Sequence, residues 1–209
     1  MLKKLKIYSN IKLFLYVIKK AYLNRLELQS FLYQKEKNRK CITDIDLNSI
    51  EKSGIKSLVL DFDGVISPHD HYIPSKSITI WLKKAIKIFG SGKIFILSNN
   101  SKNADRIKYF NKNFKEIIFI KNRYMKPYPY DICNVLKKNN IKTFKSIMII
   151  DDRLLTGILL SLIIKTEAIF ITSPLVDTKN NIIKETYMSY LRKIDKIICK
   201  TFFLFPDKI

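Results

Sequence analysis

Five apolar runs recur along residues 57–172, with helix-length amphipathic stretches between them, and this alternation restricts the chain more than any other feature. The runs are SLVLD (57–61), KIFILS (93–98), EIIFI (116–120), SIMIID (146–151) and EAIFIT (167–172). Each is too continuously apolar to keep one face in water. Strands of that kind are buried on both sides, as in a parallel sheet covered by helices. The stretches near 77–89, 101–113, 129–139 and 153–164 carry helical periodicity and supply the covers. The expected fold class is therefore α/β, a doubly wound, mostly parallel, Rossmann-like sheet.

In open sheets of this class, ligands bind outside the carboxyl ends of the strands. Those ends carry Asp61 and Asp63, then Ser98, Asn99 and Asn100, and later Asp151, Asp152 and Arg153. The loop YMKPYP adds Lys126 to the same rim. Two acids flanking one aromatic, Phe62, at the end of a buried strand repel each other and lose hydration. A divalent cation offsets both costs, and Mg²⁺ suits such a place because it takes oxygen ligands from one or two carboxylates together with substrate phosphate. With a phosphate present, one carboxylate can attack phosphorus while the other exchanges a proton with the leaving oxygen.

The ordered set DFDGV, LSNN, KP and IIDDRLLTG resembles the four motifs of haloacid dehalogenase-superfamily phosphohydrolases. More narrowly, LSNNSKNADRIKYF, the lysine of MKPYP and DDRLLTGILL are similar to the subfamily IIIA phosphatases, which include phosphatidylglycerophosphate phosphatases. The likeness runs on through ITSPLVDT and YLRKIDKII, covering roughly residues 55–198. The resemblance implies Asp61 as a nucleophile that becomes an aspartyl phosphate and Asp63 as general acid/base. It implies Ser98, Asn99 and Lys126 as phosphate-binding residues, and Mg²⁺ held by Asp61, Asp63 and Asp152, with Asp151 as a further candidate. Three positions depart from the subfamily pattern. Asp151 stands where glycine usually precedes the metal-binding acid, Gly157 where a second acid often follows, and Gly64 where asparagine is more frequent.

None of the intervals between Asp63, Ser98, Lys126 and Asp152 reaches the roughly 50 residues that a separate domain needs. No cap domain is expected, so the site should lie open, able to accept a phosphate projecting from a larger body such as a lipid headgroup. Residues 1–54 read as a basic amphipathic helical segment, 55–200 as the phosphatase domain and 201–209 as a tail. Within 1–40 there are 11 basic side chains against Glu27 and Glu36, and Ile11, Leu15, Ile18, Tyr22 and Leu26 recur at helical spacing. That face could pack on the protein's own core, lie on an anionic membrane surface, or belong to an organelle-targeting segment.

The formal charge of +21 favours phosphate-bearing partners, although 33 lysines against six arginines also suit an AT-rich genome. The basic residues form no groove-reading motif, so no specific nucleic acid is expected. Cys41, Cys133 and Cys199 are scattered and odd in number, which fits an intracellular, reducing compartment, cytoplasm or organelle interior, with the protein peripheral on a membrane. His69 and His71 read as a solvated loop, Trp81 as core or interface, and Tyr124, Tyr128 and Tyr130 as a pocket wall or local packing. The expected activity is Mg²⁺-dependent dephosphorylation of phosphatidylglycerophosphate. A phosphatase for sugar, nucleotide or protein phosphates, or a catalytically degenerate binding protein, are the alternatives.

Overall fold

A computed structural model describes residues 2–100, 103–141 and 143–202, with side chains in the first helix described from Asn10. In chain order the elements are α1 (Leu2–Leu23), α2 (Arg25–Tyr33), β1 (Asn38–Arg39), α3 (Leu47–Lys52), β2 (Ser57–Leu60), α4 (Lys76–Phe89) and β3 (Ile94–Ile96). They continue with α5 (Ala104–Asn113), β4 (Ile117–Phe119), α6 (Tyr130–Lys138), β5 (Ile147–Asp151), α7 (Leu159–Ile164), β6 (Glu167–Ile171) and α8 (Ile182–Thr201). A single π turn, Leu154–Ile158, joins β5 to α7. The six strands form one sheet in the order β1-β6-β5-β2-β3-β4, with every pair parallel.

The continuous apolarity of the strands is explained by two cores, one on each face. Leu58, Leu60, Ile94, Ile96, Met148 and Ile150 pack with Ile78, Leu82, Ala85 and Phe110 from α4 and α5. Their alternates Val59, Phe95, Ile147 and Ile149 pack with Ile132, Leu136, Leu160 and Ile164 from α6 and α7. The register places Leu60 between Ile96 and Ile150, so both faces stay in step across the three central strands. Trp81 belongs to the first core, and its indole N–H donates to the Ile45 carbonyl at 3.4 Å. Ser75 starts α4 by accepting from the Ile78 N–H, and Gly90 ends it at φ +89°, a conformation that favours glycine.

Residues before 55 are not only helical. Asn38 and Arg39 add β1 to the sheet edge beside Phe170 and Ile171, a strand too short and too polar to show in the sequence pattern. Ala21 of α1 and Leu28 and Phe31 of α2 join a third core with Leu154, Ile158, Leu159, Phe170 and Cys199. The face bearing Ile11, Leu15, Tyr22 and Leu26 is turned outward. Ile11 is 52% exposed, and Leu15 and Leu26 are 60% exposed, as is the adjacent Phe14. At Ile11, Leu15 and Leu26 the periodic stripe is therefore turned away from the core, whereas Ile18 is half-buried and Tyr22 meets the Phe202 ring edge-on at 5.8 Å. Among the described residues no helix is long and apolar enough to cross a membrane. The tail expected over 201–209 lies outside the described residues beyond Phe202.

Candidate active site

The chain leaves β2 toward β3 and β4 on one side, then crosses to place β5 and β6 on the other. The switch point therefore falls between β2 and β5, where a crevice opens beyond the strand ends. Asp61 follows β2 and Asp151 closes β5. The Asp61 N–H donates to the Ile150 carbonyl at 2.9 Å, which ties the two ends together. Phe62 then dives into the core, fully buried, against the rings of Phe110 and Phe119. Gly64 turns the chain at φ +86°, and a β-carbon there would come within 2.6 Å of Asp152 Oδ2 and 2.8 Å of Arg192 Nη2. Both the turn and the close approach favour glycine.

Lys126 is the hub. Its ammonium lies 2.8 Å from Asp61 Oδ1 and 2.6 Å from Asp151 Oδ2, with the lysine side chain 4% exposed. Its loop is fixed by three hydrogen bonds to two side chains. The Lys126 N–H donates to Asn99 Oδ1 at 2.8 Å, and the Arg123 and Tyr124 N–H groups donate to Asp131 at the start of α6. Burial alone would lower the lysine's pKa, but Asp151 and Asp61 outweigh it, so the shift is upward and the ammonium stays charged.

Asp61, Asp151 and Asp152 are all buried, and each offers an oxygen within 4.8 Å of the others'. Asp152 accepts from Arg192 Nε at 2.6 Å. Three carboxylates thus face one ammonium and one guanidinium, leaving a negative charge in excess. Desolvation raises the Asp61 pKa well above the usual range, against the pull of Lys126, and Asp151 and Asp152 push it further up. Asp152 rises to about 6 for the same leading reason, with Arg192 opposing. A divalent cation would remove the excess, and an all-oxygen donor set suits a hard ion such as Mg²⁺. The residues fit that group.

Asp63 behaves differently. Its carboxylate is turned away from the three acids onto Arg106, in a forked pair at 2.8 and 2.5 Å, and also accepts from Ser98 Oγ at 3.2 Å. Arg106 is 1% exposed, lies 4.2 Å from the Phe62 ring centroid and donates through Nε to the His71 carbonyl. Such a forked, desolvated pair fixes orientation as well as charge. Ser98 Oγ also accepts from the Asn100 N–H at 3.0 Å. Asp61, Asp63, Asn99, Lys126 and Asp152 line one cavity of about 510 Å³, shared with Lys184, Tyr187, Met188 and Leu191 of α8.

Several side chains at this site were not assigned from the sequence. Arg106 stood inside a quoted motif without a role. Arg192, Glu185 and Asp195 sit on one buried stripe of α8 and bind Asp152, His69 and Arg153 respectively. His69 corrects the solvated-loop reading. It is 3% exposed, its N–H and Nδ1 meet the Glu185 carboxylate at 3.0 and 3.1 Å, and burial lowers its pKa. His71 is half-exposed and pairs with Asp177. Tyr124, Tyr128 and Tyr130 pack on one another, and Tyr128 also stacks obliquely on Tyr16 of α1 at 4.5 Å, setting α1 against the Lys126 loop.

An all-parallel sheet with acids after its first long strand, a lysine-bearing loop and acids ending β5 brings to one crevice the groups a phosphatase needs, a nucleophilic oxygen and charges to hold a phosphate. The chain belongs to the family described as mitochondrial PGP phosphatase, PGP being phosphatidylglycerophosphate, whose model matches residues 5–176. Among solved structures it is similar to a haloacid dehalogenase-superfamily hydrolase from Ehrlichia chaffeensis. The two are 17% identical over 66% of this chain and 98% of that chain, with a TM-score of 0.39. No curated protein matches the chain.

Proposed function

We propose that this phosphatase removes the terminal phosphate of phosphatidylglycerophosphate at a membrane surface, leaving phosphatidylglycerol and inorganic phosphate. The observation that carries the reading is the convergence of Asp61, Lys126 and Asp152 on one open cavity at the switch point. Asp61 attacks phosphorus through a carboxylate oxygen. The bond from phosphorus to the glycerol oxygen breaks, and that oxygen takes a proton from Asp63. Water, giving its proton back to Asp63, then adds to phosphorus and releases Asp61. Lys126 neutralises charge on the phosphoryl oxygens. Ser98 and Arg106 orient Asp63, and Asn99 orients Lys126 through its backbone. Asp61, Asp152 and the backbone carbonyl of Asp63 would hold Mg²⁺, with Asp151 beside them, and the ion would supply positive charge where the phosphate binds.

The membrane part of the reading is supported by what surrounds the mouth. Met125 and Tyr187 line the cavity and are 49% and 58% exposed, Ile183 one turn earlier on α8 is 84% exposed, and the outward stripe of α1 stands beside the Lys126 loop through Tyr16. Apolar side chains amid lysines suit an interface of headgroups and acyl chains. The test is phosphate release, with and without Mg²⁺, from phosphatidylglycerophosphate in mixed micelles and from soluble sugar, nucleotide and peptide phosphates. Preference for the lipid by about tenfold or more in kcat/KM is expected. Asp61→Asn should lower turnover by about a thousandfold or more, with the fold kept. A chain that prefers a soluble ester, or an active Asp61→Asn variant, would overturn the proposal.

A further inference from the structure

His69 is built into the catalytic cavity, and the reaction above leaves it unused. It lines that cavity with Asp63 and is 3% exposed. Its backbone N–H and its Nδ1 meet the two oxygens of Glu185 at 3.0 and 3.1 Å, and Glu185, itself buried, also accepts from the Asp177 N–H at 3.3 Å. A carboxylate at Nδ1 assigns the ring proton to that nitrogen. In the neutral imidazole Nε2 is then an acceptor, on the other side of the ring from Glu185. It is buried and has no hydrogen-bond partner among the described residues. Buried polar atoms are seldom left unpaired unless a ligand or water completes them.

The ring stands on the leaving-group side. Burial lowers its pKa, and among the charges that oppose the shift Asp63 acts most strongly, ahead of Glu185. Arg106, which grips Asp63, also donates to the His71 carbonyl at 3.1 Å, so one arginine fastens the acid/base and the loop that carries His69. Phosphoryl oxygens are acceptors and cannot satisfy an acceptor, whereas a hydroxyl can. We propose that His69 is a specificity-determining residue whose Nε2 accepts a hydrogen bond from a hydroxyl of the alcohol being released, on the carbon next to the one that bears the phosphate. The site then selects phosphate monoesters of polyols, whether the glycerol phosphate end of a lipid or a free polyol phosphate, over esters of alcohols that lack this hydroxyl. The proposal rests on the reading above for Asp63 as proton donor to the leaving oxygen, and on the tautomer fixed by Glu185 for the demand at Nε2.

Paired substrates that differ in one hydroxyl test it on the full chain. The soluble pair is glycerol bearing one terminal phosphate and the same ester without the middle hydroxyl. The micellar pair is phosphatidylglycerophosphate and its analogue without the free hydroxyl of the phosphorylated glycerol. The parent is expected to favour the hydroxylated member of each pair by about tenfold or more in kcat/KM. In His69→Asn, whose amide can still donate to Glu185 from near the Nδ1 position, that ratio should fall to within about twofold of unity, whatever the absolute rates. His69→Phe, which keeps a ring without nitrogens, should show the same collapse if His69→Asn fails to fold. A histidine that only fastens α8 would slow both members alike and keep the parental ratio, and that result would overturn the proposal. So would a parent indifferent to the hydroxyl, a comparison that needs no variant. Preference for the soluble esters over the lipid would instead defeat the lipid reading, with the hydroxyl ratio still deciding the role of His69. A parent that hydrolyses none of these esters would defeat both.

Discussion

Asp152 links the site to pH, because burial raises its pKa to about 6 from an ordinary 3.8 even with Arg192 alongside. An acid whose folded pKa lies above its unfolded one holds more protons in the native state between the two values. Its contribution to stability is therefore greatest at low pH and is lost as pH rises through about 6. The ionised form costs about 3 kcal/mol in the metal-free protein. The upward shift at Asp61 acts in the same direction. In chelator, the parent should melt about 3 °C higher at about pH 5 than at about pH 7.5, relative to the same comparison in Asp152→Asn. Calorimetric scans across that range check it, and parallel pH profiles would contradict it. Acids at strand ends were legible because an apolar strand has no other reason to finish on charge. Arg106 was not, since an arginine on a polar helix face looks alike in sequence whether it meets water or a buried carboxylate.

Helices divide in the same way. The boundaries of α4 and α6 followed from their apolar periodicity, whereas α8 concealed its role. Glu185, Arg192 and Asp195 carried no assigned role in the sequence, yet they are buried and fasten the loops that carry His69, Asp152 and Arg153. Periodicity identifies an amphipathic helix without saying whether its charged side faces water or a polar site. For α1 the same ambiguity fell the other way, with an apolar stripe turned outward. Phe14→Glu/Leu15→Glu is expected to reduce sedimentation with phosphatidylglycerol-containing vesicles by about tenfold or more. Hydrolysis of a small soluble phosphomonoester should stay within about twofold of the parent. Unchanged vesicle binding would remove α1 from the proposed membrane contact.

At the scale of the molecule, a charge of +21 surrounds a site whose own acids outnumber its bases. Long-range attraction to an anionic bilayer should then be screened by salt. Vesicle binding is expected to weaken at least about tenfold between about 0.05 and 0.5 M NaCl, while turnover of a soluble ester changes far less. Salt-independent vesicle binding would contradict that account. The parallel sheet was legible because strands buried on both faces need continuous apolar runs; β1 escaped because two residues at an edge carry no such run. That edge pairing has a consequence for biosynthesis. β1 is made early but finds its partner in β6, and the loops of the crevice are fastened by α8, later still. A nascent chain would leave the ribosome with Asp61 exposed before the helix that lines the crevice exists, so the crevice should assemble only after α8 has been made.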